Sequence, residues 1–181
     1  MENVELKILD EQDREVPRGA WGEICIQGPG VMKGYWGKPE ETARALRGGW
    51  LHSGDIGTMD DEGYVSIVDR VKDMINVSGF KVWPAEVEAM LYAHPDIQEA
   101  VIIAARDARR GETVKAIVVL KPAARDRVME ADLQRWARDN MAAYKVPSSF
   151  EFVEALPKSA TGKILWRVLQ EQQDERDRAG G

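Results

Sequence analysis

A single cysteine stands among the 181 residues, so no disulfide and no cysteine-rich metal site can form within one chain. It is Cys25, inside the apolar run Ile24-Cys25-Ile26, which is the setting of a small buried hydrophobe and not of a reactive thiol. Histidine is almost as scarce, at two residues, and His52 has no second histidine near it in sequence, which argues against metal ligation. No run of five or more Lys/Arg occurs, and the formal net charge is -6. The eight basic and fourteen acidic residues of 1–70 carry the whole surplus, while 71–181 balances at seventeen of each. A non-specific nucleic-acid binder needs a basic footprint, so nucleic acid is not an expected partner. No stretch approaches the roughly 18 to 20 apolar residues that cross a bilayer. The opening Met1-Glu2-Asn3-Val4 also lacks the basic and apolar regions of a secretory signal. The expectation is a soluble, cytoplasmic chain.

What is present is apolar content of 44%, enough for one large or two small domains to bury a core. In the first 70 residues apolar positions alternate at Val4, Leu6 and Ile8, along Gly22 to Gln27 and along Gly63 to Val68, a period-2 signature of short strands between glycine-rich turns. Lys38 to Leu46 reads as a short helix entered through Pro39. From Val71 helices alternate with strands. Pro84-Ala85-Glu86-Val87-Glu88 is a helix start with proline early and acids in the first turn, striped by Val87, Met90 and Leu91. Ala100 to Ala104 and Ala116 to Leu120 read as an antiparallel strand pair. A helix over Glu130 to Asn140 carries Leu133, Trp136, Ala137 and Met141 on one face, and a strand follows near Phe150 to Val153. The spacing predicts a last helix from Lys163, striped by Ile164, Leu165, Val168 and Leu169, with a charged tail from Gln170 that frays. The composition changes at Asp69-Arg70-Val71-Lys72.

Three segments hold residue types suited to chemistry. Leu156 to Leu165 (LPKSATGKIL) puts Lys163 at the expected helix start, where a cation opposes the helix dipole unless an anionic ligand reverses the sign. A solvated surface lysine is the plain alternative. Gly49 to Gly57 (GWLHSGDIG) flanks Asp55 with glycines. A carboxylate there has two acceptor oxygens for the paired hydroxyls of a ribose, although an ordinary turn aspartate looks the same. In Asp69 to Val82 (DRVKDMINVSGFKV), Ser78-Gly79 interrupts an apolar alternation as a close backbone approach requires; a linker plus hairpin turn would read alike. Gly28-Pro29-Gly30 imitates a phosphate loop, but its proline supplies no N–H, so it reads as a turn.

Together with Gly28 to Trp36 (GPGVMKGYW) and Tyr144-Lys145-Val146-Pro147, the order and spacing of these segments resemble the adenylate-forming superfamily of acyl-CoA synthetases, adenylation domains and luciferases. The likeness runs over nearly the entire chain and is strongest to bacterial medium- to long-chain fatty-acyl-CoA ligases. It implies an α+β chain. Residues 1–70 would be the β-rich, partly barrel-like C-terminal part of a large AMP-binding domain. Residues 71–181 would be a small mobile lid whose antiparallel sheet is packed by helices. By the same resemblance Asp55 and Arg70 hold the ribose, and Lys72 is the hinge, where members carry Asp or Lys. Lys163 reaches the α-phosphate and carboxylate, Ser78, Gly79 and Phe80 line the pantetheine tunnel, and Arg138 is a weaker match to a contact with the nucleotide end of CoA. Asn76 stands where luciferases use a second lysine, so that role is not carried over.

The implied substrates are a carboxylic acid, ATP with Mg2+, and CoA. No metal site is expected in these 181 residues, and peripheral membrane association of the intact enzyme is left open. The superfamily's Ser/Thr- and Gly-rich loop ending in Pro-Lys-Gly and its acyl pocket are not found in the sequence. The chain alone is therefore expected neither to adenylate nor to hold ATP tightly, and to be prone to self-association through exposed apolar faces. The rival readings are an adenylation domain that loads a carrier protein and a non-catalytic interaction module.

Overall fold

The computed structural model describes residues 3–179. The chain divides into two compact units, Met1–Asp73 and Met74–Gly181. In the first, β1 (Glu5–Leu9), β2 (Gly22–Gln27), a short helix α1 (Pro39–Ala45), β3 (Leu51–Met59) and β4 (Val65–Arg70) follow in order. The strands pair antiparallel as a sequential four-stranded meander. Ile8, Ile24 and Met59 form its core, with Val16, Ile26 and Val65 against them. Helix α1 is set by Pro39 and the acids Glu40 and Glu41 in its first turn, and it buries no residue.

Two irregularities shape this sheet. Glu23 pairs with Ile56 and Cys25 with His52, so one residue of β2 faces Ser53, Gly54 and Asp55 of β3. The extra residues leave the ladder as a bulge, with Gly54 at φ +75°. On the other side Asp55 faces Arg70, and the register then shifts between Ile56 and Gly57.

In the second unit the elements are β5 (Ile75–Val77), β6 (Phe80–Val82), α2 (Pro84–Leu91), β7 (Ile97–Asp107), β8 (Gly111–Leu120), α3 (Glu130–Asn140), β9 (Ser149–Phe152) and α4 (Trp166–Ala179). The sheet order is β6-β5-β8-β7, with β9 also on β8. Alternate residues of β7 and β8 enter two separate cores. Ala100, Ile102, Val114, Ala116 and Val118 join Val87, Leu91, Leu133 and Ala137 of α2 and α3. Val101, Ile103, Ile117 and Val119 join Leu156, Ile164, Trp166 and Leu169 on the other face. Burial on both faces is why these two strands are continuous apolar runs and not alternating ones.

The antiparallel β7/β8 pair and helices α2 and α3 fall where the sequence puts them. β9 departs from an all-antiparallel sheet by running parallel to β8, because the connection through α3 returns the chain in the same direction. The last helix also differs from expectation. It begins at Trp166 and continues to Ala179, held by polar contacts to the sheet where fraying was expected. Gln170 brackets the Ala104 peptide through both ends of its amide, at 2.9 and 3.1 Å, and Asp177 accepts the Arg106 N–H at 2.8 Å.

Candidate functional site

Asp55 stands on the bulge of β3, opposite Arg70 at the end of β4, and Arg70 Nε lies 3.2 Å from Asp55 Oδ1. Three features hold the bulge. Ser53 Oγ accepts the Asp55 N–H at 3.1 Å. Glu23 Oε1 accepts the Gly54 N–H at 3.0 Å. Glu23 Oε2 meets His52 Nδ1 at 2.8 Å and Arg47 Nη2 at 3.2 Å. The Asp55 carboxylate is about a quarter exposed and the Arg70 side chain about half exposed, so both keep hydrogen-bonding capacity directed outward. Lys72 lies in the short turn Val71–Asp73 that follows β4, and it is exposed.

Glu23, Cys25 and His52 bring one donor atom each within 4.8 Å of one another. The set does not fit a metal. Its only carboxylate already takes the Gly54 peptide, the His52 ring and the Arg47 guanidinium, and a cation would have to displace a cation. Burial, and then the Glu23 charge, push the Cys25 thiol up to about 12, so no thiolate is on offer either.

In the second unit Ser78 and Gly79 form the turn between β5 and β6, both at positive φ (+53° and +89°), the pairing a two-residue hairpin requires. Asn76 Oδ1 accepts the Gly79 N–H at 2.8 Å, and the Ser78 N–H donates to Arg110 O at 3.3 Å. The turn therefore sits at the Gly111 end of β8. Phe80, half exposed, stacks on Tyr144 with centroids 4.8 Å apart.

Lys163 lies in a closed loop and not at the first turn of a helix, which corrects the sequence expectation. Lys158 and Ile164 form an isolated bridge. Ser159 N–H donates to Lys163 O at 2.8 Å, and Lys163 N–H to Ser159 Oγ at 3.2 Å. Ile164 packs into the α4 side of the sheet while Lys163 is exposed. The helix-dipole cost argued from sequence does not apply, since α4 starts three residues later. Among the described residues no ion pair engages the Lys163 ammonium. Lys158 of the same loop pairs with Glu99 near the start of β7. The lysine loop is thus at the Glu99 end of the sheet, and the Ser78-Gly79 turn at the Asp107 end. Eight residues of β7 separate these ends, about 27 Å of extended strand. Arg138 is exposed on the last turn of α3.

Of the residues singled out from sequence, Asp55 and Arg70 are brought into contact, with Lys72 following in the chain. Ser78, Gly79 and Phe80 form one turn, and Lys163 occupies another. Sequence reasoning passed over Glu23 and Arg47. The available signal was a charged residue breaking the apolar run of β2 one strand away from a glycine-flanked aspartate.

A family profile described as AMP-binding enzyme C-terminal domain matches residues 86–163, and one described as AMP-binding enzyme matches residues 1–36. The chain is 54% identical over 154 residues to a long-chain-fatty-acid–CoA ligase of Bacillus subtilis (strain 168), covering 85% of this chain and 27% of that protein. It is 47% identical over 161 residues to a feruloyl-CoA synthase of an Amycolatopsis species, covering 89% of this chain and 32% of that protein. ATP-bound MatB from Rhodopseudomonas palustris matches in structure with a TM-score of 0.79 at 36% identity, over 95% of this chain and 34% of that one. The fold is shared with that solved structure over nearly the whole of this chain. The chain belongs to the AMP-binding enzyme family, and it spans about a third or less of the length of these relatives.

Proposed function

We propose that this chain supplies the ribose-holding turn and the reorienting lid of an ATP-dependent carboxylic acid–CoA ligase, with a fatty acid as the acid. In the first step a carboxylate oxygen attacks the α-phosphorus of ATP and the α–β anhydride breaks, giving acyl-AMP and pyrophosphate. In the second, the sulfur of CoA attacks the acyl carbonyl, the thiol proton is lost and AMP leaves. Asp55 accepts from the ribose hydroxyls, and Arg70 keeps the Asp55 carboxylate oriented while adding a contact of its own. The Lys163 ammonium faces the charge gathering on phosphate oxygens. A preplaced donor of this kind is worth roughly 3 to 4 kcal/mol of barrier. Ser78, Gly79 and Phe80 line the path of the pantetheine arm, and Arg138 contacts the nucleotide end of CoA.

One observation carries the reading: the loop that holds Lys163 and the turn at Gly79 lie against opposite ends of one sheet. A single placement cannot bring both to the same reacting atom. Two half-reactions served in turn by the two ends require the unit to rotate, about Lys72. The same reading assigns residues 1–70 to a larger AMP-binding domain and 71–181 to the lid. ATP enters as its magnesium complex. Among the described residues no helix is long and apolar enough to cross a membrane; a cytoplasmic location is proposed from the ATP and CoA that the reaction consumes. Tyr64 and Ile67, each 70% exposed on and beside β4, are the apolar surface through which the 181-residue chain would self-associate.

Lys163→Ala in the intact polypeptide tests the assignment. ATP–pyrophosphate exchange should fall by about 100- to 1,000-fold, while CoA attack on supplied acyl-AMP stays within a few-fold. Equal loss of both half-reactions would refute it.

A further inference from the structure

We propose that Glu23 is a positioning residue for the nucleotide: it fixes the bulge that presents Asp55. The inference rests on the reading of Asp55 as the ribose contact. Where β3 leaves the ladder with β2, Ser53, Gly54 and Asp55 have no register partner on that side, and the Gly54 and Asp55 N–H groups go to side chains instead. An unpaired peptide N–H held away from water is costly, so something must accept it. Ser53 Oγ takes that of Asp55 at 3.1 Å, a contact within the bulge that leaves it free to move as a body. Glu23 takes that of Gly54 at 3.0 Å from the neighbouring strand and so fixes the bulge to β2.

The carboxylate is itself held on its second oxygen by His52 Nδ1 at 2.8 Å and Arg47 Nη2 at 3.2 Å. Arg47 is in turn braced by Asp13, 3.2 Å from its Nε. The Glu23 side chain is 16% exposed, a charged group fixed on three sides within the strand pair. Gly54 stands at φ +75°, a conformation with a mirror-related alternative at little energetic difference for glycine. The hydrogen bond that Gly54 donates to Glu23 selects one of these, and with it the direction of the next side chain, Asp55. Bulges beside active sites aim side chains in this way.

Two measurements test it. In the 181-residue chain, Glu23→Ala should speed amide exchange of Gly54 and Asp55 while Ile24 and Met59 keep their protection, and Glu23→Gln, whose amide oxygen can still accept the Gly54 N–H, should do so less. Unchanged exchange at Gly54, or loss of protection throughout the sheet, would overturn the proposal. In the intact polypeptide, Glu23→Ala should raise KM for ATP about tenfold with kcat little changed. In an Asp55→Ala background it should add almost nothing, since the residue acts through Asp55. An equal effect in both backgrounds, or a fall in kcat and thermal stability with KM unmoved, would mean a structural role only. If Asp55→Ala alone leaves KM for ATP unchanged, the ribose reading fails by itself. The exchange measurement then still decides whether Glu23 governs the bulge.

Discussion

Cys25 lies with its sulfur 3.3 Å from His52 Nδ1 and no exposed surface. Burial, followed by the Glu23 charge, pushes its thiol up to about 12, against a smaller opposing pull from Arg47. At about pH 8 the thiolate fraction is then on the order of one in ten thousand. Iodoacetamide should leave the folded chain unmodified over a time in which the urea-unfolded chain reacts completely, as read by intact mass. Rapid alkylation of the folded chain would contradict the packing. At this scale the sequence was informative where a residue carries its meaning locally. Cys25 inside an apolar run was legible as a buried side chain, and Asp55 between glycines as a break in the strand. Glu23 was not, because its partner peptide lies 31 positions away and is identified only once a bulge shifts the register. Lys163 was singled out by its motif but given the wrong local structure, since LPKSATGK suits a helix entry and a closed loop equally well.

The strand β7 forms one edge of its sheet, and an unprotected edge invites pairing with another chain. Here its outward N–H groups are closed one after another by side chains. Tyr92 Oη accepts from Ala100 at 3.5 Å, Glu88 Oε1 from Ile102 at 2.9 Å, Gln170 Oε1 from Ala104 at 2.9 Å and Asp177 Oδ2 from Arg106 at 2.8 Å. Two of the four come from α4. Gln170, Gln173 and Asp177 sit on one side of that helix at spacings of three and four, so a polar stripe extends along the sheet the docking that Trp166 and Leu169 begin. Gln170→Ala should lower stability by about 1 to 3 kcal/mol through the stranded Ala104 peptide, seen as a lower urea midpoint. An unchanged midpoint would mean that water replaces the amide. After α2, the His94 ring packs edge-on to Trp136, and its Nδ1 accepts the Asp96 N–H at 3.1 Å. Burial holds His94 below its ordinary value of 6.5; Asp96 opposes this, while Arg127 and Lys121 reinforce it. The folded unit therefore binds fewer protons there than the unfolded chain. That contribution is complete above 6.5 and is lost as pH falls through the lowered value. Urea midpoints of the second unit should drop between about pH 7.5 and about pH 5.5, and His94→Gln should flatten the slope. A wild-type midpoint constant over that window would disprove the assignment.

At the scale of the chain, the order of the segments was legible because each motif reads locally and their spacing along the sequence is fixed. Their placement within the second unit was not. Residues 79 and 163 are both turns in the sequence, and nothing in the intervening run states which end of the sheet each occupies. That follows only from long-range pairings, Ser78 with Arg110 and Lys158 with Glu99. The placement constrains the motion. If a rigid sheet delivers one end for adenylation and the other for thioester formation, the change must be absorbed outside it, in the few residues between β4 and β5. Lys72 stands there, in the turn Val71–Asp73. Proline at this position would fix its φ near -65° and disfavour helical geometry at Val71, restricting rotation without touching either end of the sheet. Lys72→Pro in the intact polypeptide should therefore act unequally on the two half-reactions. The orientation that tolerates the fixed dihedral keeps its rate within a few-fold, and the other loses roughly 100-fold or more. Pyrophosphate exchange and thioester formation from supplied acyl-AMP, measured on the same preparation, separate the two. Equal slowing of both would place the pivot elsewhere or remove the need for one.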